Sequence, residues 1–262
     1  MRVSSKEFQG HEVFQDIDRL IEFYDQLSFS VLGMLTPGVR AFFNIDSYVY
    51  SSIKGTISSI RSVLMAGRIN DSYSLLRKYY DSAVINIYAN IFLDNECSEE
   101  VVIVDQIDGW LKGARQMPEY RVMSQYIRAS RKVKPITDAL HSGERYKGLR
   151  KRCNDHTHYN FFQNVLLNDN EIDLPGRATA LAGFCQDLRD VAILHLGYLF
   201  VIRQHYMSSS DYVDSLECGM VPEQGSQYWV APFVQEAFDT ILVLHRPDVA
   251  SIVKTMTEMR LA

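Results

Sequence analysis

The apolar residues of this chain recur with a helical repeat nearly throughout. Val13, Ile17, Leu20, Ile21, Tyr24 and Leu27 fall at steps of three and four, which predicts a first amphipathic helix over about 11–32. Pro37-Gly38 breaks it. Ile53, Ile57, Ile60 and Leu64 place a second helix over about 42–66, with Gly67 as its stop. Asn70-Asp71-Ser72 are good N-cap residues, and the helix they open runs through Leu76, Tyr80, Ala83, Val84, Ile87 and Ile91. Tyr73, Tyr79, Tyr88 and Phe92 widen its apolar surface, so it is expected in the core. Ser98 is expected to cap a short helix to Leu111, Pro118 to open one ending near Lys132, and Pro135 to start a segment reaching about residue 155. The stretch 168–176 reads as a loop. A long helix follows with Leu181, Cys185, Leu188, Ala192, His195 and Leu199 on one face, where His195 reads as a core histidine. A polar connection at 208–226, with a turn of helix around Tyr212, leads to helical runs at about 231–244 and 248–260.

The fold class this predicts is all-α: a helical bundle over residues 1–207, with 208–262 as a C-terminal helical extension packed on it. Composition agrees. With 47% hydrophobic and 23% charged residues, the chain can bury a substantial core and is not disordered in bulk. Cys97, Cys153, Cys185 and Cys218 are far apart and form no C-x-x-C pair, which speaks against a disulfide framework or a standard zinc finger. The first residues lack the apolar stretch of a signal peptide, and the greasiest run, Val191 to Ile202, is too short to span a bilayer. A cytoplasmic chain with no membrane partner is the expectation.

Charge changes the picture more by its placement than by its sum of -5. Between Lys112 and Arg152 there are 12 Lys/Arg against 3 Asp/Glu, directly after an acidic block of Asp94, Glu96, Glu99, Glu100, Asp105 and Asp108. Two readings stay open: solvated helical faces that neutralise each other, or a surface that meets phosphate. The basic stretch closes on Arg150-Lys151-Arg152-Cys153-Asn154-Asp155-His156-Thr157-His158, which packs three cations, two imidazoles, an amide and a carboxylate into nine residues.

This segment resembles the signature of the HEPN superfamily of all-α nucleases: an Arg, four to six residues, then a His. Arg152 and His158 fit with five residues between them, as do Arg150 and His156. Cys153 stands where that family usually has a polar residue. The segment from Gly67 to Asp81, with its Leu-Leu-Arg run, resembles the core helix of HEPN-like proteins of the phage-defence type. The resemblance covers about residues 42–205. It implies a metal-independent endoribonuclease, a toxin or phage-defence effector, that works on RNA as a homodimer and needs no cofactor. His158 would be the acid/base and Arg152 the phosphate clamp. Asn154 or Asp155 would orient them, and His156 is the rival histidine. Arg150, Lys151, Arg77 and Tyr159 would bind substrate, with Asn70, Asp71 and Asp81 nearby.

The chemistry suits those residue types. RNA cleaves itself when its 2′-OH attacks the adjacent phosphate, so a catalyst must move protons and hold charge on phosphate oxygens. A histidine near neutral pKa does the first and a forked guanidinium the second. Alternatives stay open beside this. Arg and His at a helix end satisfy carbonyls or pair with nearby acids, and the whole chain is then a non-catalytic module that binds or regulates a partner protein. Cys153, His156 and His158 are also a conceivable zinc set. The sequence has no glycine-rich phosphate loop, G-x-S-x-G elbow or H-E-x-x-H motif, which disfavours kinase, α/β-hydrolase and zincin chemistry.

Overall fold

The computed structural model describes residues 1–34, 44–97 and 104–262. The expected break at Pro37-Gly38 and the Ser98 cap lie outside them. After a one-turn helix α1 (Lys6–Gln9), three long helices follow in sequence: α2 (Glu12–Met34), α3 (Ile45–Met65) and α4 (Ile69–Glu96). α2 packs on α3 and α3 on α4. The α3–α4 turn is tight because Gly67 takes φ +83° and a side chain there would run into Val3. α4 is capped two residues before the predicted position, by Arg68, so Asn70, Asp71 and Ser72 lie inside its first turn.

Short helices come next: α5 (Asp105–Leu111), α6 (Tyr120–Ala129), α7 (Lys134–His141), α8 (Glu144–Thr157) and α9 (Phe162–Leu166). The segment expected from Pro135 to about residue 155 is two helices, α7 and α8, because Gly143 between them is extended at φ -120° and ψ 177°. The long α10 (Arg177–Ile202) is followed by α11 (Asp211–Glu217), α12 (Pro232–Ala237) and α13 (Pro247–Met256). α12 continues as a π-helical stretch, Phe238–Val243, rather than as the regular helix expected to 244. Among the described residues there is no β-strand, and a single antiparallel bridge joins Ser208 to Val230.

α4 lies at the centre, in contact with α3, α6, α8 and α10. α10 is wrapped even more fully: every residue from 190 to 202 is buried. Its greasy run is therefore a core helix, and among the described residues no helix is long and apolar enough to cross a membrane. The C-terminal elements share this core, since Val234, Phe238, Leu242, Val249 and Val253 are fully buried in one cluster with α10. Each such side chain stabilises the fold by roughly 1.5–3 kcal/mol.

A buried polar chain threads the bundle. The acceptor-only carboxylate of Asp46 takes hydrogen bonds from Asn86 Nδ2 (2.6 Å), Asn90 Nδ2 (2.8 Å) and the Tyr206 hydroxyl (2.8 Å). The Asn86 amide oxygen is then the acceptor for His195 Nε2–H at 2.9 Å. His195 Nδ1 in turn accepts from the Tyr24 hydroxyl at 2.7 Å, and Tyr24 accepts from Tyr79 at 2.8 Å. One fixed carboxylate thus orients every proton along α3, α4, α10 and α2. Burial pushes the His195 pKa down to about 3, so the ring is neutral.

Candidate active site

α8 crosses α4 antiparallel, and the two helices place the motif. Asn70 meets His156, Arg77 meets Asn154, and Asp81 faces Arg150. On a helix, residues four apart share a face. Arg152 and His156 therefore look the same way, toward α4 and α10. Leu149 and Cys153 fill the core between the polar positions, and both are fully buried. The thiol of Cys153 is pushed up to about 12 by that burial and is inert.

His156 is held in one orientation. Its ring stacks on Tyr73 with centroids 3.8 Å apart and planes 8° from parallel. Its Nδ1 lies 2.9 Å from the Asn70 amide oxygen. An oxygen there accepts, so Nδ1 carries the proton and Nε2 keeps its lone pair. Burial lowers the pKa of this ring below the usual histidine value, against the pull of Asp187 and Asp155. At neutral pH, His156 is thus an uncharged base.

Arg152 is clamped by α10. Its Nε lies 3.0 Å from both Asp187 oxygens and its Nη2 2.5 Å from Oδ1. Asp187 also accepts from the Tyr73 hydroxyl at 3.3 Å, which ties the arginine to the ring beneath His156. One turn along α10, Asp190 pairs with Arg145 at 2.5 Å, and burial raises its carboxyl pKa. Two adjoining depressions share Tyr73 and Gly183. One is lined by His156, Gln163, Asn164, Leu167, Gly176, Thr179 and Ala180, the other by Arg145, Arg152, Gln186, Asp187 and Asp190. They form an open cleft with an imidazole at one end and two guanidiniums at the other.

The remaining motif residues lie elsewhere. His158 is the exposed C-cap of α8, and it is not among the cleft-lining residues. Asn154 binds Arg77, whose Nε is 2.9 Å from Asp81, so both serve the α4–α8 contact. Asp155 spends its carboxylate on Lys151 at 2.8 Å and Asn160 at 2.8 Å. Arg150 lies over the Tyr120 ring at 4.1 Å. Tyr159 sits outside the cleft, half exposed, with φ +49°. Asp71 and Asn168 hydrogen-bond each other through backbone and side chain.

The zinc alternative fails on geometry. Cys153 is buried while His158 is exposed, and among the described residues no group of three His, Cys, Asp or Glu could hold a metal. Much of the basic stretch is already paired: Lys132 with Asp94, Lys112 with Asp108, Lys134 with Asp138 and Lys147 with Glu144. The sequence reading missed Tyr73, Asp187, Asp190 and Arg145. Tyr73 reads as core aromatic in a tyrosine-rich helix. Asp187 and Asp190, three apart on a largely apolar helix, carried a usable signal, because buried carboxylates need partners. Comparison with protein-family models, with curated proteins and with solved structures gives no match to this chain.

Proposed function

We propose that the chain is a metal-independent endoribonuclease of HEPN-like type, with His156 as the base. One observation carries this reading: a neutral, oriented imidazole opens onto a cleft whose other end holds Arg152, one helical turn away. His156 Nε2 takes the proton of a 2′-OH, and the oxygen attacks the adjacent phosphorus. The 2′,3′-cyclic phosphate forms and the 5′-oxygen leaves with a proton from the solvent of the open cleft. Charge on the phosphate oxygens is met by Arg152 and Arg145, held in place by Asp187 and Asp190. A toxin or defence role and a homodimer belong to this proposal only through the motif resemblance, whose spacing fits Arg152 with His158 and Arg150 with His156; the pair that shares the cleft, Arg152 and His156, has three residues between.

The full engagement of Arg152 by Asp187 favours a second reading, in which the Arg–Asp pairs are structural clamps and the chain is a non-catalytic module. Incubating the purified protein with total RNA and tRNA in EDTA separates the two. The expected result is cleavage that disappears in His156→Ala, falls by about 100-fold or more in Arg152→Ala and persists in His158→Ala. Cleavage lost in His158→Ala but kept in His156→Ala would overturn the assignment of the base. No cleavage by the wild type would favour the module.

A further inference from the structure

Asn164, on α9, lines the depression beside His156 and is only 7% exposed. Its amide has a fixed direction. Nδ2 donates to the Asp155 carbonyl at 2.8 Å. A carbonyl only accepts, so the nitrogen must face it and the oxygen must face the other way. Among the described residues Oδ1 accepts from nothing, and it is not sealed in the core, so it is left to the depression that Asn164 lines. An acceptor held idle in a preformed concave site is the kind of group that fixes a ligand's orientation. The same depression holds His156, whose Nε2 also offers a lone pair. Both fixed groups accept, so what they select must donate. The α10 side of the depression is low, because Gly176, Ala180 and Gly183 carry at most a methyl group. The space left is about 410 Å³, the size of a small-molecule pocket.

Resting on the ribonuclease reading above, we propose that this depression is a pocket for a nucleobase with an exocyclic amine, and that Asn164 is its specificity residue. The 2′-OH that gives its proton to His156 belongs to the nucleotide whose base lies in the same depression. Asn164 Oδ1 accepts from the amine of that base. Cytosine and adenine carry an amine on the edge where uracil and hypoxanthine carry a carbonyl. A carbonyl opposite Oδ1 sets two acceptors against each other and leaves both unpaired. A free asparagine reads either kind of edge by turning its amide over. Here the turn would set oxygen against oxygen at the Asp155 carbonyl, so the choice is locked.

The probes are nucleoside 3′-phosphates, which have the 2′-OH and the phosphate but no 5′-oxygen to expel. Calorimetry compares cytidine with uridine 3′-phosphate and adenosine with inosine 3′-phosphate. In at least one pair the wild type should bind the amino base about tenfold or more tightly. Asn164→Ala, shown to be folded by circular dichroism, should bring that ratio close to one. Gly183→Leu is the second variant. A Cβ there meets only the Tyr73 hydroxyl, at an ordinary 3.8 Å, and leucine favours the helix, so the chain folds while the depression fills. It should weaken both members of a pair alike. Equal affinity within both pairs overturns the proposal, as does the absence of binding at millimolar ligand. So does a preference that survives in folded Asn164→Ala, or unchanged binding in Gly183→Leu. A preference for the amino base without cleavage of RNA in EDTA keeps the pocket and removes the ribonuclease reading. Cleavage with no base preference does the reverse.

Discussion

At the scale of single residues, the 2.9 Å contact between His156 Nδ1 and the Asn70 oxygen decides what the other ring nitrogen does. With Nδ1 donating, Nε2 is the free base. Burial lowers the His156 pKa, so the basic form extends below the usual histidine range and RNA cleavage should hold its rate to below about pH 6.5. Asn70→Asp places a carboxylate at the same contact. A neighbouring negative charge favours the imidazolium, raises the pKa and should move the acid limb of the pH–rate profile up by about one unit or more. An unmoved limb would take His156 out of the base role. The same rule of partner and burial gives His195 a different fate. Its two nitrogens are both satisfied inside the core, where the ring is fully buried.

At the scale of helices, the chain from Asp46 to Tyr79 ties four elements together and makes stability depend on pH. His195 has a folded pKa of about 3. Unfolded, it titrates near 6.5, so the unfolded state binds one more proton across the interval between. This term costs nothing above that interval. Stability should fall by about 1.4 kcal/mol per pH unit as pH drops from about 6.5 toward 3. Urea denaturation at several pH values checks this against His195→Gln, whose amide keeps a donor and an acceptor but does not titrate. The variant should lose that part of the slope. How much was legible in sequence follows from the same elements. α2 and α3 announce themselves because a long apolar stripe repeats at 3.6 residues, and α4 and α10 because long apolar runs cover most of their sides. The split of α7 from α8 hides in one extended glycine, and the π-helical stretch after α12 has no periodic signature of its own. The cleft was half visible. Arg152 and His156 stand in one nine-residue segment, although the spacing rule pairs them with His158 and Arg150, whereas Tyr73 and Asp187 lie 83 and 31 positions from His156, so nothing local links them to it.

At the scale of the molecule, residues 208–262 are an extension in sequence but part of one apolar cluster in space. Removing them would strip α10 of Phe238, Leu242, Val249 and Val253. A chain ending at residue 207 is expected to lose its cooperative melt and to bind a hydrophobic dye, with circular dichroism and dye fluorescence as the readouts. A sharp thermal transition in the truncated chain would show that the bundle stands alone. The cleft has its own dependence on distant parts. Its walls come from α4, α8, α9 and α10, with lining residues that run from Tyr73 to Asp190. Chains leave the ribosome from the N-terminus onward. While α10 is still inside, Arg152 has no Asp187 to hold it and the cleft has no far wall. The oriented imidazole and the clamped guanidinium therefore come together only once α10 has emerged.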